Sequence, residues 1–447
     1  MNAIMSLRRP RCFALAIVAL FAFVAPASAT TIERVVSPGG IEAWLVREPA
    51  VPMIAVDFAF AGGAIQDAPG KAGTANLVAS LLDDGVGEFD SKTFHERLER
   101  KAIELNYEAE RDTLRGSLRT LTENRDEAFE ALRLGLTAAR FDPTDVELNR
   151  AQILSTLRRA TTNPTEMASL RWWQVAFADH PYGLPVAGTL ESVPTITVGD
   201  LRDYTRRVLA RGNLKIAVVG DIDAEAVKSM LDRVFGALPA EPQLKPVANV
   251  TPRGLGRRIV VKLDVPQAVV AFGGTGIARN DPDFMAAYIV NHILGGGSFS
   301  SRLYQEVREK RGLAYSVYDS LVWLNHSALF LGGTATRADR AGETLDLIQK
   351  EIQRLAENGP TAEELAKAKA YLNGSFALNL DTSSKIAALL VQLQRDGLGI
   401  DYFSRRPEMI NAVTLDDARR VAKKLLDGGL LVTVAGRPEG VVSTTAD

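Results

Sequence analysis

Two side chains in the second half of the chain, Arg308 and Tyr315, stand seven residues apart in GGGSFSSRLYQEVREKRGLAYSVYD, Gly295 to Asp319. Three glycines end one helix, Ser298, Ser300 or Ser301 can cap the next, and that helix stops at Gly312. LAYSVYDSLVWL then opens a strand rich in β-branched and aromatic residues. Arg308 falls in the last helical turn and Tyr315 just inside the strand, so both can aim at one spot. A guanidinium and a phenol placed there would donate hydrogen bonds to a peptide carbonyl, or to the oxyanion it becomes. The plainer alternative has Arg308 satisfying helix carbonyls and Tyr315 packed in the sheet. The glycines form no phosphate loop, because no Gly-Lys-Ser/Thr follows them.

A second pattern has the spacing for chemistry but not the residues. GKAGTANLVASLLDDG, Gly70 to Gly85, reads as an amphipathic helix with Ala75, Leu77, Val78, Leu81 and Leu82 on its apolar face. Asn76 and Ser80 lie four apart on the other face, the spacing at which a helix presents two ligands to a metal. Neither is a good zinc ligand. The four histidines, His95, His180, His292 and His326, make no paired ligand spacing, and each is expected to be structural or at the surface. There is no Gly-x-Ser-x-Gly elbow, and the three serines near Gly297 read as helix caps rather than nucleophiles.

The elements that must position these residues begin after a leader. Arg8, Arg9 and Arg11 precede an apolar run from Cys12 to Ala25, and Ala27-Ser28-Ala29 offers a small-residue cleavage site. This is the pattern of a secretory signal peptide over residues 1–29, with an uncleaved anchor as the alternative. The single cysteine, Cys12, leaves with it, so the mature chain has no disulfide and no thiolate-bound metal. Three of the 52 basic residues and no acid lie in this segment, which leaves 49 basic against 54 acidic residues. That balance points to neither nucleic acid nor an anionic membrane surface, and no later run is long enough to span a bilayer.

The remainder is written twice. PTDVELNRAQIL begins at Pro143 and PTAEELAKAKAYL at Pro360, an offset of 217 residues. TVGDLRDY at Thr197 and TLDDARRV at Thr414 share that offset, and each is followed by a helical stretch and an apolar strand, NLKIAVVGD and GLLVTVAG. Each copy opens with strands, MIAVDFAF in the first and RRIVVKLDVPQAVVAFGG in the second. In the first of these, Ile54, Val56, Phe58 and Phe60 alternate with smaller or polar residues, as in a half-buried strand. Long helical patterns follow, such as Arg125 to Ala139 and Ala341 to Glu357. The expected fold is α+β, with two similar duplicated domains, residues 30–237 and 257–447, each a mainly antiparallel sheet with helices packed on one face. The Pro- and Gly-rich stretch 238–256 links them into a clamshell.

Over nearly the whole mature chain the sequence resembles the M16 (pitrilysin-like, inverzincin) zinc peptidases. LGGGSFSSRLYQEVREKRGLAYSVY is similar to the C-terminal signature of that family, in which the Arg and Tyr matching Arg308 and Tyr315 contact substrate. HPYGLPVAGTLESVPTIT from His180 is similar to a loop of its N-terminal half. The family's catalytic helix follows a turn like GKAGTA and carries His-x-x-Glu-His, but here those positions read Asn76, Ala79 and Ser80. The third ligand, a Glu, falls on Thr156, or on Ser155 with a one-residue slip. The resemblance implies a zinc site with every ligand and the general base replaced, which should neither hold zinc nor hydrolyse peptides alone. It further implies a periplasmic, non-catalytic subunit that presents Arg308 and Tyr315 to peptide substrate, beside a homologous subunit carrying His-x-x-Glu-His and the zinc. The competing expectation is a peptidase-fold scaffold or binding protein, as in respiratory-complex core subunits that resemble this family.

Overall fold

Two sheets with one strand order organise the molecule. The computed structural model describes residues 31–444, so the expected secretory segment, Met1 to Ala29, lies outside the described residues. Strands β1 Ile32–Val36, β2 Glu42–Arg47, β3 Met53–Ala61, β4 Glu104–Ala109, β5 Thr113–Leu121 and β6 Leu214–Gly220 form a sheet ordered β1-β2-β6-β3-β5-β4. Strands β7 Arg258–Lys262, β8 Gln267–Thr275, β9 Ala314–Leu324, β10 Ser327–Arg337 and β11 Leu431–Gly436 form the other, ordered β7-β11-β8-β10-β9. Without β1, the second order repeats the first strand for strand. One pair in each sheet is parallel, β2 with β6 and β7 with β11, and the remaining pairs are antiparallel.

The duplication extends to side chains. In both copies Thr and Asp close a capping box 217 residues apart. Thr197 accepts from the Asp200 N–H at 3.2 Å and Thr414 from the Asp417 N–H at 3.1 Å, and each Asp side chain reaches back to the Thr N–H. In both copies a Phe on the third strand faces a Gly on its neighbour, Phe58 opposite Gly116 and Phe272 opposite Gly332. A Cβ on either glycine would lie within 2.1 or 2.3 Å of the ring, so the aromatic fills the space the missing side chain leaves.

The helices of the first half are α1 Thr74–Ala79, α2 Ser91–Arg100, α3 Arg125–Ala138, α4 Pro143–Ala160, α5 Pro164–Ala176, α6 Val198–Val208 and α7 Ala224–Phe235. In the second half α8 Phe284–Asn291 is followed by two π-helical segments, His292–Gly296 and Tyr304–Glu309. After β10 come α9 Ala341–Asn358, α10 Ala362–Gly374, α11 Ser383–Arg395, α12 Tyr402–Ala412 and α13 Leu415–Leu426. Each sheet packs most of its own helices on one face. On the opposite face each receives a helix from the other half, α11 against β3 and β6, and α5 against β8 and β11.

Hydrogen bonds fasten this exchange. The Trp172 indole N–H on α5 donates to the Leu431 carbonyl at 3.1 Å, and the Thr433 hydroxyl donates back to the Ala168 carbonyl at 2.7 Å. On the other side the Gln394 amide of α11 donates to the Ile216 carbonyl at 2.8 Å. This covering corrects the half-buried reading of β3: Ala55, Asp57 and Ala59 are buried along with Val56 and Phe58 between them. The small residues leave room for α11, and the Asp57 carboxylate is met by Arg115 at 3.0 Å. Stretch 238–256 is extended chain held at both ends. Lys245 and Gln66 exchange two hydrogen bonds, and the Val250 and Arg253 amides donate to His326 and Ala176 carbonyls.

Because each half supplies a cover to the other, the two sheets are expected to unfold together. Replacing Trp172, 2 % exposed, by Ala should cost about 3–5 kcal/mol through the cavity it leaves. Hydrogen exchange of the β2/β6 and β8/β11 amides should lose protection in parallel in that variant. Loss confined to one sheet would contradict the coupling.

Candidate functional site

The helix that carries the expected metal positions is short. The expected helix over residues 70–85 is regular only as α1, Thr74–Ala79, with Ser80 as its C-cap and tightened turns beyond. Its start is pinned by Asp67, whose carboxylate accepts the Gly73 and Ala75 N–H groups at 2.8 and 2.9 Å. Burial pushes that carboxyl up to about 7, against the pull of those N–H donors. The apolar face expected from the sequence is inside: Ala75, Leu77, Val78, Leu81 and Leu82 are all buried. Ala79 is buried as well, Asn76 and Ser80 are half-buried, and the Ser80 hydroxyl donates to the Leu77 carbonyl at 3.0 Å. Helix α4 is tied to the segment after α1 by Asn149, which donates to Asp84 at 2.6 Å. Thr156, two turns further along α4, is exposed and accepts from Arg159 at 3.1 Å, and Ser155 beside it is exposed too. No hydrogen bond joins either to Asn76 or Ser80 among the described residues. An amide, a methyl and two hydroxyls do not fit zinc, and among the described residues no group of three His, Cys, Asp or Glu is placed to hold a metal.

Arg308 and Tyr315 do come together. The Arg308 guanidinium carbon lies 4.6 Å from the Tyr315 ring centroid and 4.9 Å from that of Tyr304. One Arg308 N–H donates to the Tyr304 hydroxyl, and among the described residues its other donors meet no acceptor. Tyr315 is 81 % exposed. Both parts of the plainer alternative therefore fail: Arg308 caps no helix carbonyl, and Tyr315 does not pack in the sheet.

The backbone explains how a tyrosine on a strand stands free. Along β9 alternate residues Val317, Asp319 and Leu321 are buried, so Tyr315 should be buried with them. Between the pairs Val317–Thr334 and Ala314–Thr336 the register slips, setting Tyr315 and Ser316 against Ala335 alone. This β-bulge turns Tyr315 outward. Its bonds are held by neighbours: the Thr334 hydroxyl donates to the Ser316 carbonyl at 2.7 Å, and the Thr336 hydroxyl to that of Leu313 at 2.6 Å. Arg308 is held from the other side. Its helix is anchored by Arg302, whose fork meets both Glu364 oxygens at 2.7 Å. Although burial pushes the Glu364 carboxyl up, that fork takes it down to about 2.

The expected serine caps are absent. Ser300 and Ser301 donate to the carbonyls of Gly297 and Ser298 at 3.0 and 2.8 Å, because a tight turn at Ser298–Ser300 offers those carbonyls before the helix begins. Sequence reasoning also missed Tyr304, which stands four residues before Arg308 and so shares its helix face. Phe299, 70 % exposed, stands edge-on to Tyr304 at 5.0 Å and extends the aromatic patch. On the neighbouring sheet face Ser316, Tyr318 and Ser320 line a groove of about 400 Å³ beside Trp172 and Trp173 of α5.

Two family models cover most of the described chain. Residues 45–190 match the insulinase (peptidase family M16) domain, and residues 195–372 match the peptidase M16 inactive domain. The chain belongs to the M16 peptidase family. It is 28 % identical over 415 residues to an uncharacterized zinc protease of Streptomyces coelicolor, covering 91 % of this chain and 90 % of that one. It is 29 % identical over 335 residues to the non-peptidase homolog YmxG of Helicobacter pylori, covering 75 % of this chain and 77 % of that one. The crystal structure of a peptidase M16 inactive domain from Pseudomonas fluorescens superposes with a TM-score of 0.86 at 27 % identity, over 93 % of this chain and 99 % of that one.

The histidines make local contacts. His180 accepts from the Tyr182 amide at 3.2 Å, His326 lies 3.2 Å from Asn249, and buried His292 stacks on Tyr371. His95 lies 3.8 Å from Asp83 and 3.9 Å from Asp84, just beyond α1. The Asp83 carboxylate beside it raises the imidazole pKa to about 9 in spite of partial burial. A raised folded pKa contributes stability that is whole below about 6.5, the ordinary imidazole value, and is lost as pH rises through about 9. The urea midpoint of the wild-type chain is expected to fall across that window more than that of His95→Gln. Parallel curves for the two proteins would refute it.

Proposed function

We propose that this chain is the non-catalytic, substrate-binding subunit of a periplasmic, heterodimeric M16-type zinc peptidase. Its partner would be a homologous subunit carrying His-x-x-Glu-His and the zinc. The observation that carries this reading is a contrast within one chain. All metal positions are replaced by groups that cannot hold zinc, whereas Arg308 and Tyr315 are brought together, with Tyr315 turned to solvent by a bulge. An exposed phenol beside a guanidinium with donors still free suits a ligand, and a scaffold has no use for that pair. Arg308 and Tyr315 would donate to the carbonyl oxygen of an extended peptide, and the groove beside Tyr318 would take the neighbouring residues. The leader-like segment 1–29 supports export. Among the described residues no helix is long and apolar enough to cross a membrane.

The scaffold reading draws support from the relative named a non-peptidase homolog. Two experiments separate the readings. After extensive desalting, the purified mature chain is expected to hold no stoichiometric zinc and to cleave no unstructured peptide. One tightly bound zinc per chain would overturn the non-catalytic assignment.

Co-expression with a zinc-motif M16 partner should give a complex stable to size-exclusion chromatography, with an interface above about 1,000 Å². Within that complex, Arg308→Ala or Tyr315→Phe should lower activity by about 10²–10³ if the lost donor acts as charge develops. If the pair only anchors substrate, KM should rise with kcat little changed. Full activity of the double variant in an intact complex would end the split-site reading.

A further inference from the structure

Arg111 sits in the turn between β4 and β5, where the tips of the two halves meet. The turn is locked there by Asp112, whose carboxylate accepts the Tyr182 hydroxyl at 2.6 Å and the Asn325 N–H at 2.8 Å. Beside this joint lies a pocket of about 450 Å³, with an apolar side formed by Val186, Val322 and Leu324. Its other charges are largely answered. Glu110 faces Arg395 at 3.1 Å and Arg115 at 3.6 Å, and Asp112 has the two donors just named. Glu108 also lines the pocket but is exposed.

Arg111 is the exception. Among the described residues it makes no ion pair and no side-chain hydrogen bond, and its Nε is buried without an acceptor. An unanswered buried donor is costly, and burial takes this guanidinium down to about 10. What holds it is Trp173, whose ring centroid is 3.5 Å from the guanidinium carbon. That indole is itself stacked on Phe177 at 5.3 Å and 25°. A guanidinium held over an indole face keeps its N–H groups for a planar, two-oxygen acceptor.

We infer that Arg111 and Trp173 form a carboxylate-binding site between the two halves, which captures an anionic group of an extended peptide. The peptide assignment rests on the function proposed above and on the placement of the pocket. Trp173 lines both this pocket and the groove along Ser316, Tyr318 and Ser320. From Tyr315 to Leu321, which borders the pocket, is six residues of β9, or about 20 Å at the rise of a strand. A peptide held at Arg308 and Tyr315 thus reaches Arg111 with about six extended residues.

The test is binding of a fluorescent, unstructured decapeptide to the chain alone, by anisotropy. The peptide is made as the free acid, as the C-terminal amide, and as the amide with a Glu or a Gln near that end. The free acid is expected to bind at least about tenfold tighter than the amide, as a charge-assisted fork requires. If instead the Glu amide binds that much tighter than its Gln twin, the captured carboxylate is a side chain, and the site stands. Arg111→Gln should remove either preference, and Arg111→Lys should restore only part of it. Equal binding of acid, amide, Glu and Gln forms to the wild-type chain overturns the site without recourse to a variant. Failure of the split-site reading is distinct. It shows in turnover of the assembled pair, and Arg308→Ala should weaken acid and amide alike while leaving their ratio unchanged.

Discussion

Each sheet of this protein is completed by a helix that belongs, in sequence, to the other half. The bonds from Trp172 to Leu431, from Thr433 to Ala168 and from Gln394 to Ile216 mark the crossings. Burial on both faces follows from them, since the sheets would otherwise present apolar faces to water. The meeting of the hairpin tips at Asp112, Tyr182 and Asn325 follows as well, and so does the groove between α5 and β9. A first half without His-x-x-Glu-His is therefore still required. If that half is lost, α5 goes with it and the second sheet is left bare.

Local patterns made much of this legible. The 217-residue offset announced two copies, and the capping boxes at Thr197 and Thr414 are its physical content. Helices over Arg125–Ala138 and Ala341–Asn358 matched their apolar periods nearly to the residue. The helix exchange was not legible, because hydrophobic period reports that a face is buried and not which element buries it. Ala55, Asp57 and Ala59 illustrate the difficulty: small or charged side chains read as an outer face, yet here they are the floor on which α11 lies. The Phe58–Gly116 and Phe272–Gly332 pairs needed strand register, which no single strand carries.

At the candidate site, spacing identified Arg308 and Tyr315 but left open whether they packed or projected. The deciding feature is one extra residue in the pairing of β9 with β10, and nothing in LAYSVYDS marks it. Tyr304 was accessible through its distance of four from Arg308. Arg111 was not, since an arginine shows itself as unpaired only when its neighbours' commitments are known.

The bulge also sets how such a site can be lost over generations. Converting Asn76, Ala79 and Ser80 to or from a metal-binding set would involve three separate side chains, in a helix whose packing has to survive each change. Tyr315 is governed differently. Deleting the single codon for Tyr315 would restore the regular pairing of β9 and remove the phenol, with the rest of the strand already in register. A phenol kept in water by an irregularity that one deletion erases is the easier of the two features to lose, and it is present in this chain.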